Sequence, residues 1–349
     1  DNSGADSDGW GITALSDGTY LVVGSMAPKD NFRTDVWAAR LDRNAQLIWQ
    51  KTWPDEGIQF ASDVAPLADG GLLLAYIDMP DDGPSHLGLR AITEDGRELW
   101  TRDAGLAADG VLYANIVPLA SGDLLIATGG ESGENGDDDT RLIRLASDGS
   151  IWWDHTYALP NDDGAVDAIE RDGIITALSQ VWLPEEKKLQ SRLLSVDAMG
   201  QVLRNETLSD ENAFSANSIA SLPSGDMLLL GIVDTDDTAS ASDVVLRRIA
   251  PDGTQLWERT LDYGKREDAF SIAVLDQGQI VVGSMVHDED YSYSDATLTW
   301  IDQAGEVLAV HRFDGIDIIT GLTAFPGGGF GASGLKGDYG DGSLRFSVW

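Results

Sequence analysis

The stretch Leu87-Gly88-Leu89-Arg90-Ala91-Ile92-Thr93-Glu94-Asp95-Gly96-Arg97-Glu98-Leu99-Trp100-Thr101 decides the fold. An apolar-rich run meets a polar turn, and a second short run carrying a tryptophan follows. Asp-Gly supplies the positive φ of a tight hairpin turn, so the stretch reads as two antiparallel strands. Upstream, Phe60 to Leu67, the turn Ala68-Asp69-Gly70 and Leu72 to Tyr76 read as another such pair. Ile77 to Pro84 is the irregular connection between the pairs. One unit is therefore four short strands, here lettered a to d.

The unit returns about every 52 residues. Its a–b turn glycine recurs at Gly18, Gly70, Gly122, Gly173, Gly225, Gly278 and Gly328. Its c–d turn recurs at Asn44-Ala45, Asp95-Gly96, Asp148-Gly149, Met199-Gly200, Asp252-Gly253 and Ala304-Gly305. Four antiparallel strands repeated radially describe a β-propeller. The expected fold class is all-β, a seven-bladed propeller whose seventh blade lacks its outer strand. The expectation is one domain over 1–349, with units 8–55, 56–107, 108–161, 162–210, 211–263, 264–315 and 316–349. No stretch sustains a 3.6-residue apolar period, so no helix is predicted. In up-and-down topology the a–b and c–d turns share one face. The longer b–c and d–a connections share the other.

Strand d carries its own signature. Four residues after the turn stand Trp49, Trp100, Trp153 and Trp257, with Arg204 and Ala309 in units four and six. Eight residues after it stand Trp53, Ala104, Tyr157, Leu208, Leu261 and Phe313. Both positions lie on one strand face, because side chains alternate. The aromatics are expected to wedge between neighbouring blades. Lys51, Arg102, His155, Glu206, Arg259 and His311 lie between them. The long basic stems among them can cover apolar surface.

The unit Asp252-Gly253-Thr254-Gln255-Leu256-Trp257 is similar to the D-G-x-x-x-W repeats of exported bacterial and archaeal propellers, the pyrroloquinoline-quinone-like repeat superfamily. The resemblance covers essentially the whole chain and specifies the blade rather than the chemistry. It implies an exported protein: secreted, periplasmic or at the cell surface. That superfamily contains quinoprotein dehydrogenases and non-enzymatic outer-membrane assembly scaffolds. The quinoproteins commonly set a vicinal cysteine pair over the quinone and tend to have eight blades. This chain has no cysteine, so the resemblance points to the non-quinone branch.

Composition narrows the partners. The chain is 42% hydrophobic, enough for a core, and no apolar run is long enough to span a membrane. Fifty-nine acids against 23 bases leave a formal charge of −36. Such a surface repels nucleic acid and anionic lipid. The acids concentrate in the b–c and d–a connections, while many bases sit in strands c and d. Asp234-Thr235-Asp236-Asp237 and Asp288-Glu289-Asp290 begin like calcium loops, without the glycine and the closing glutamate of the full pattern. Asp234, Asp236, Asp237, Asp288 and Asp290 are the candidate calcium (Ca2+) ligands.

Other chemistry leaves little trace. No two of His86, His155, His287 and His311 have metal-binding spacing, and neither a nucleophile elbow nor a phosphate loop is present. Loop carboxylates could pair for glycoside chemistry, but nothing singles out one pair. Unit four departs from the rest: Gln180 to Lys188 holds Trp182, Lys187 and Lys188, an aromatic with positive charge, as in a binding hot spot. In the seventh unit Leu344, Phe346 and Val348 alternate with polar residues on a strand whose outer edge has no d strand, an invitation to strand addition. Asp1 to Asp8 is short and polar, a poor candidate for that strand.

The expected function is a non-enzymatic scaffold for protein binding or self-assembly, with calcium at the acidic loop face. The alternative is a secreted glycan-active hydrolase or lyase, or a glycan-binding module, using the loop-face cleft. A degenerate quinoprotein-like enzyme ranks last.

Overall fold

The computed structural model describes all residues except 1–5, 28–32, 108–113, 133–136, 159–160, 186–187, 209–213, 236–240, 265, 288–293, 314–317, 326–327, 339–342 and 349. No helix occurs among the described residues, so none is long and apolar enough to cross a membrane. The first sheet is β1 (Asp6–Ala14), β2 (Tyr20–Ala27), β3 (Asp35–Leu41) and β4 (Leu47–Trp53). The second is β5 (Ile58–Pro66), β6 (Leu72–Met79), β7 (His86–Ile92) and β8 (Glu98–Leu106). The third is β9 (Asn115–Pro118), β10 (Leu124–Ser132), β11 (Asp137–Leu145) and β12 (Ile151–Tyr157). The fourth is β13 (Asp163–Arg171), β14 (Ile174–Leu183), β15 (Lys188–Val196) and β16 (Val202–Leu208).

Next come β17 (Ser215–Ser221), β18 (Met227–Asp234), β19 (Ser242–Ile249) and β20 (Gln255–Leu261). They are followed by β21 (Arg266–Val274), β22 (Ile280–His287), β23 (Ser294–Ile301) and β24 (Val307–Phe313). One parallel bridge, Ser242 opposite Arg266, links these two groups. The last sheet has three strands, β25 (Ile318–Ala324), β26 (Phe330–Asp338) and β27 (Ser343–Val348). Within each group the strands run in chain order and pair antiparallel.

Burial explains the strand compositions. Each middle strand packs on a neighbouring sheet with both faces, so it reads as a continuous apolar run rather than an alternation. Leu72, Leu73 and Leu74 of β6 are all fully buried. Leu73 packs with Leu89, Leu124 and Ile143 between the second and third sheets, while Leu72 and Leu74 join Val23 and Val36 of the first. Outer strands such as β4 and β8 are mostly exposed. The first and last sheets also meet: the Thr320 hydroxyl donates to the Gly9 carbonyl at 2.7 Å, and the Tyr20 and Phe325 rings lie 4.7 Å apart.

The signature of strand d is a clasp between sheets. Trp49, Trp153 and Trp257 donate their indole N–H to the carbonyls of Glu94, Ala198 and Gln303 at 3.0, 3.0 and 3.1 Å. These carbonyls open the c–d turns of the following sheets. Arg40, Arg144 and Arg248 on the third strands donate to the same three carbonyls at 2.8, 2.6 and 2.6 Å. Each arginine is anchored in its own sheet by Asp17, Asp123 or Asp226, at 2.8, 2.6 and 2.5 Å. Trp100 lies beneath Gly149, whose φ is 80°. Only glycine suits that turn twice over, since a Cβ there would stand 2.8 Å from the indole. His155 stacks on Trp153 at 5.0 Å.

Several hairpins run further than the sequence reading allowed. Glu131 pairs with Asp138, and Asp139 and His287 also lie within strands. Asp234 ends β18 opposite Ser242, and Trp182 pairs with Leu189. Backbone pairing continues in register through these polar residues, which shortens the acidic connections. Asp6, Ser7 and Asp8, read as a poor candidate for the seventh blade's outer strand, pair with Ala27, Met26 and Ser25 in the first sheet.

Candidate binding channel

The innermost strand of every group faces one central cavity of ≈480 Å³. Six of the seven reach it through a shared defect. β1, β5, β13, β17, β21 and β25 each carry a bulge near their middle, between Gly9/Gly11, Ala61/Asp63, Ala165/Asp167, Ala216/Ser218, Ala269/Ser271 and Ile319/Gly321. The extra residue bends the strand and turns the residues beside it towards the axis.

The bulges place polar side chains where they tie one sheet to the next. Asp63 accepts from Val64 N at 2.7 Å and from Ile116 N of the following sheet at 2.8 Å. Asp167 accepts from Ala168 N, from Ile219 N and from the Ser218 hydroxyl at 2.8, 2.8 and 2.9 Å. Leu322 N donates to the Ser271 hydroxyl at 3.1 Å. The amides of Asn115 and Asn217 reach the Val166 and Ala269 carbonyls. Burial pushes Asp63 up to about 7, and the Asp167 charge adds to that rise. Burial alone carries Asp167 to about 6, against its hydrogen bonds.

A second cluster joins the fifth and sixth sheets. The carboxylate oxygens of Asp243, Asp262 and Glu267 lie within 4.8 Å of one another. Glu267 is fully buried and accepts from Tyr263 N at 2.9 Å. Burial, with Asp243 beside it, raises it to about 7. Burial and the Asp262 charge raise Asp243 as well. Asp163 occupies the same place two units earlier and is instead paired with Arg192 at 3.2 Å.

Of the candidate calcium ligands, Asp234 is exposed at the end of β18, while Asp236, Asp237, Asp288 and Asp290 lie outside the described residues. Trp182 is 39% exposed beside the exposed Leu189. Lys188 opens β15 half-buried, and Lys187 lies outside the described residues. Leu344, Phe346 and Val348 stand on β27, whose backbone is described without its side chains. His86 bonds Asp103 at 3.0 Å, and His287 bonds Asp268 at 2.9 Å. The channel carboxylates escaped the sequence reading. Their signal is a small or polar residue six or seven positions before each a–b turn glycine: Gly11, Asp63, Asn115, Asp167, Ser218, Ser271 and Gly321.

The raised carboxyls set a pH dependence. Asp63, Asp167 and Glu267 hold protons in the folded chain that the unfolded chain releases near pH 4. Stability should therefore fall as pH rises from about 4 through about 7. Melting temperatures across that window should show the decline, and Asp63→Asn should flatten it. A rise in stability over the same window would contradict these assignments.

No family model and no curated protein matches the chain. Solved structures do. Puromycin hydrolase is 16% identical over 97% of this chain, with a TM-score of 0.61. The chain spans about half of that protein, 53% of its length. The periplasmic gluconolactonase of Pseudomonas aeruginosa is 13% identical over 97% of this chain and 87% of its own, with a TM-score of 0.58. A Hadza microbial sialidase is 13% identical over 93% and 74%, with a TM-score of 0.52. These are β-propeller-type proteins, and at such identities the likeness concerns the fold. The chain has a β-propeller fold.

Proposed function

We propose that the chain is a seven-bladed propeller, its seventh blade lacking an outer strand, that works as a non-enzymatic binding scaffold for protein partners at the cell exterior. One observation carries this reading. Three residues after each c–d turn, an apolar side chain stands out in solvent: Ile48, Leu99, Trp152, Leu203, Leu256 and Leu308, between 44% and 68% exposed. The same exposed apolar position recurs on six outer strands, which gives the rim a repeated set of docking points. The edge of β27 is a second docking element, and calcium is the proposed ligand of the acidic loops. Asp63 and Asp167 hold neighbouring blades together through hydrogen bonds, which favours binding over covalent chemistry.

The test is a double substitution, Trp152→Ser with Leu203→Ser. It should change stability by less than about 0.5 kcal/mol, as exposed changes do. It should also remove cross-linked partners that the unaltered protein retains in native extract. An unchanged cross-linking pattern would count against the reading.

A second reading rests on Asp63 and Asp167 sharing one cavity, with Asp63 protonatable near neutrality. A glycan or lactone hydrolase would use such a pair as acid and base. Turnover of a glycan or lactone panel that disappears in Asp167→Asn would establish it in place of the scaffold.

A further inference from the structure

The central cavity combines acidic and aromatic groups beyond what tying the sheets together requires. Its only ionisable lining groups among the described residues are the carboxyls of Asp63 and Asp167. Trp10 and Phe270 also line the cavity, and Trp10 is 41% exposed. Asn115, Gln180, Asn217, Ser271 and Thr320 are among the neutral polar groups around them.

We propose that this cavity binds a small organic ammonium ion, held by Asp63 and Asp167 and faced by the rings of Trp10 and Phe270. A carboxylate offers about four acceptor positions. Asp63 uses two of them on backbone N–H groups and Asp167 three, counting the Ser218 hydroxyl. Both therefore keep acceptor capacity, and the staples fix where it stands. The charge is unbalanced within the cavity, since neither Lys, Arg nor His lines it among the described residues. The Asp167 charge raises the Asp63 carboxyl, so the two repel across the space, and a cation between them relieves that repulsion.

The walls choose the kind of cation. Calcium needs six to eight oxygens, more than the acceptor positions that Asp63 and Asp167 have left. A volume of ≈480 Å³ suits an organic molecule rather than a bare ion. Aromatic faces attract ammonium groups and tolerate the methylenes attached to them. The ammonium can belong to a free amine or to a lysine presented by a partner's loop. These sources share the chemistry and differ in size.

Titration calorimetry on the full chain at pH 8 tests this with putrescine, choline, the uncharged 1,4-butanediol and a blocked Gly-Lys-Gly peptide. Saturable binding is expected for at least one ammonium probe, with a dissociation constant below about 1 mM. The tightest probe identifies the source. Butanediol should bind at least about ten-fold more weakly. Phe270→Ala touches none of the staples and should weaken binding by about ten-fold while circular dichroism stays unchanged. Asp167→Asn should abolish it. The proposal is overturned by no saturable heat from any ammonium probe, by equal binding of butanediol, by full affinity in Phe270→Ala, or by displacement of the amine with stoichiometric calcium.

Discussion

Truncating Trp153 to alanine should lower stability by about 3–5 kcal/mol, the usual loss for a large core aromatic. Trp153 is 8% exposed, packs with Leu142 and Leu194 across two sheets, and donates to the Ala198 carbonyl. Its removal leaves a cavity and strips one of two donors from that carbonyl, the other being Arg144. Trp152 is the control. It precedes Trp153 on the opposite strand face, is 68% exposed, and should cost less than about 0.5 kcal/mol when changed to serine. Urea unfolding of both variants separates clasp from surface. Equal midpoints would mean that the indole does not hold the sheets together.

Gly231→Ala should be the second severe change. A Cβ there would stand 2.1 Å from the Ser215 carbonyl oxygen and 2.6 Å from Ala216 Cα. Both are backbone atoms beside the β17 bulge, and neither can withdraw without loosening the pairing of Ala216 with Gly231. Overpacking of this kind costs about 1–3 kcal/mol or more, and the upper end is expected because backbone must move. Gly173→Ala provides the comparison. Nothing lies within 4 Å of its Cβ position, but its φ is +78°, so the penalty is conformational alone, about 1–2 kcal/mol. If thermal melts rank Gly173→Ala as the more damaging change, the close approach at Gly231 is not real.

Much of this architecture is legible in the residues. The a–b turn glycines mark every repeat and the tryptophans of the outer strands mark four of them, and burial of Trp53, Leu261 and Trp153 follows from their shared strand face. What a single unit hides is which unit its side chains serve. Trp49 and Gly96 belong to copies of one motif, yet they meet across sheets, the glycine of one copy lying over the indole of the preceding one. The bulges hide the channel for a related reason. An extra residue at Ser62 or Val166 breaks the two-residue alternation, so Asp63 and Asp167 read as ordinary strand polarity rather than as residues facing an axis.

The acidic connections mislead in the opposite direction. Asp137, Asp138 and Asp139 are poor strand formers, and the composition around them says loop. Pairing with Ser132, Glu131 and Gly130 overrides that preference. The exposed apolar series from Ile48 to Leu308 shows the limit of composition in general. Composition counts them with the apolar residues, and the outer strands place them in solvent.

The contact between the first and last sheets has a mechanical consequence. Those sheets touch side by side, through Tyr20 against Phe325 and Thr320 against Gly9, and no strand among the described residues belongs to both. Closure is therefore a clasp and not a weld. In a repeat protein, stability is roughly a sum over neighbouring interfaces, so parting this one joint leaves every sheet whole. Removing the Tyr20 ring should therefore loosen this joint while leaving the antiparallel pairing inside both sheets intact.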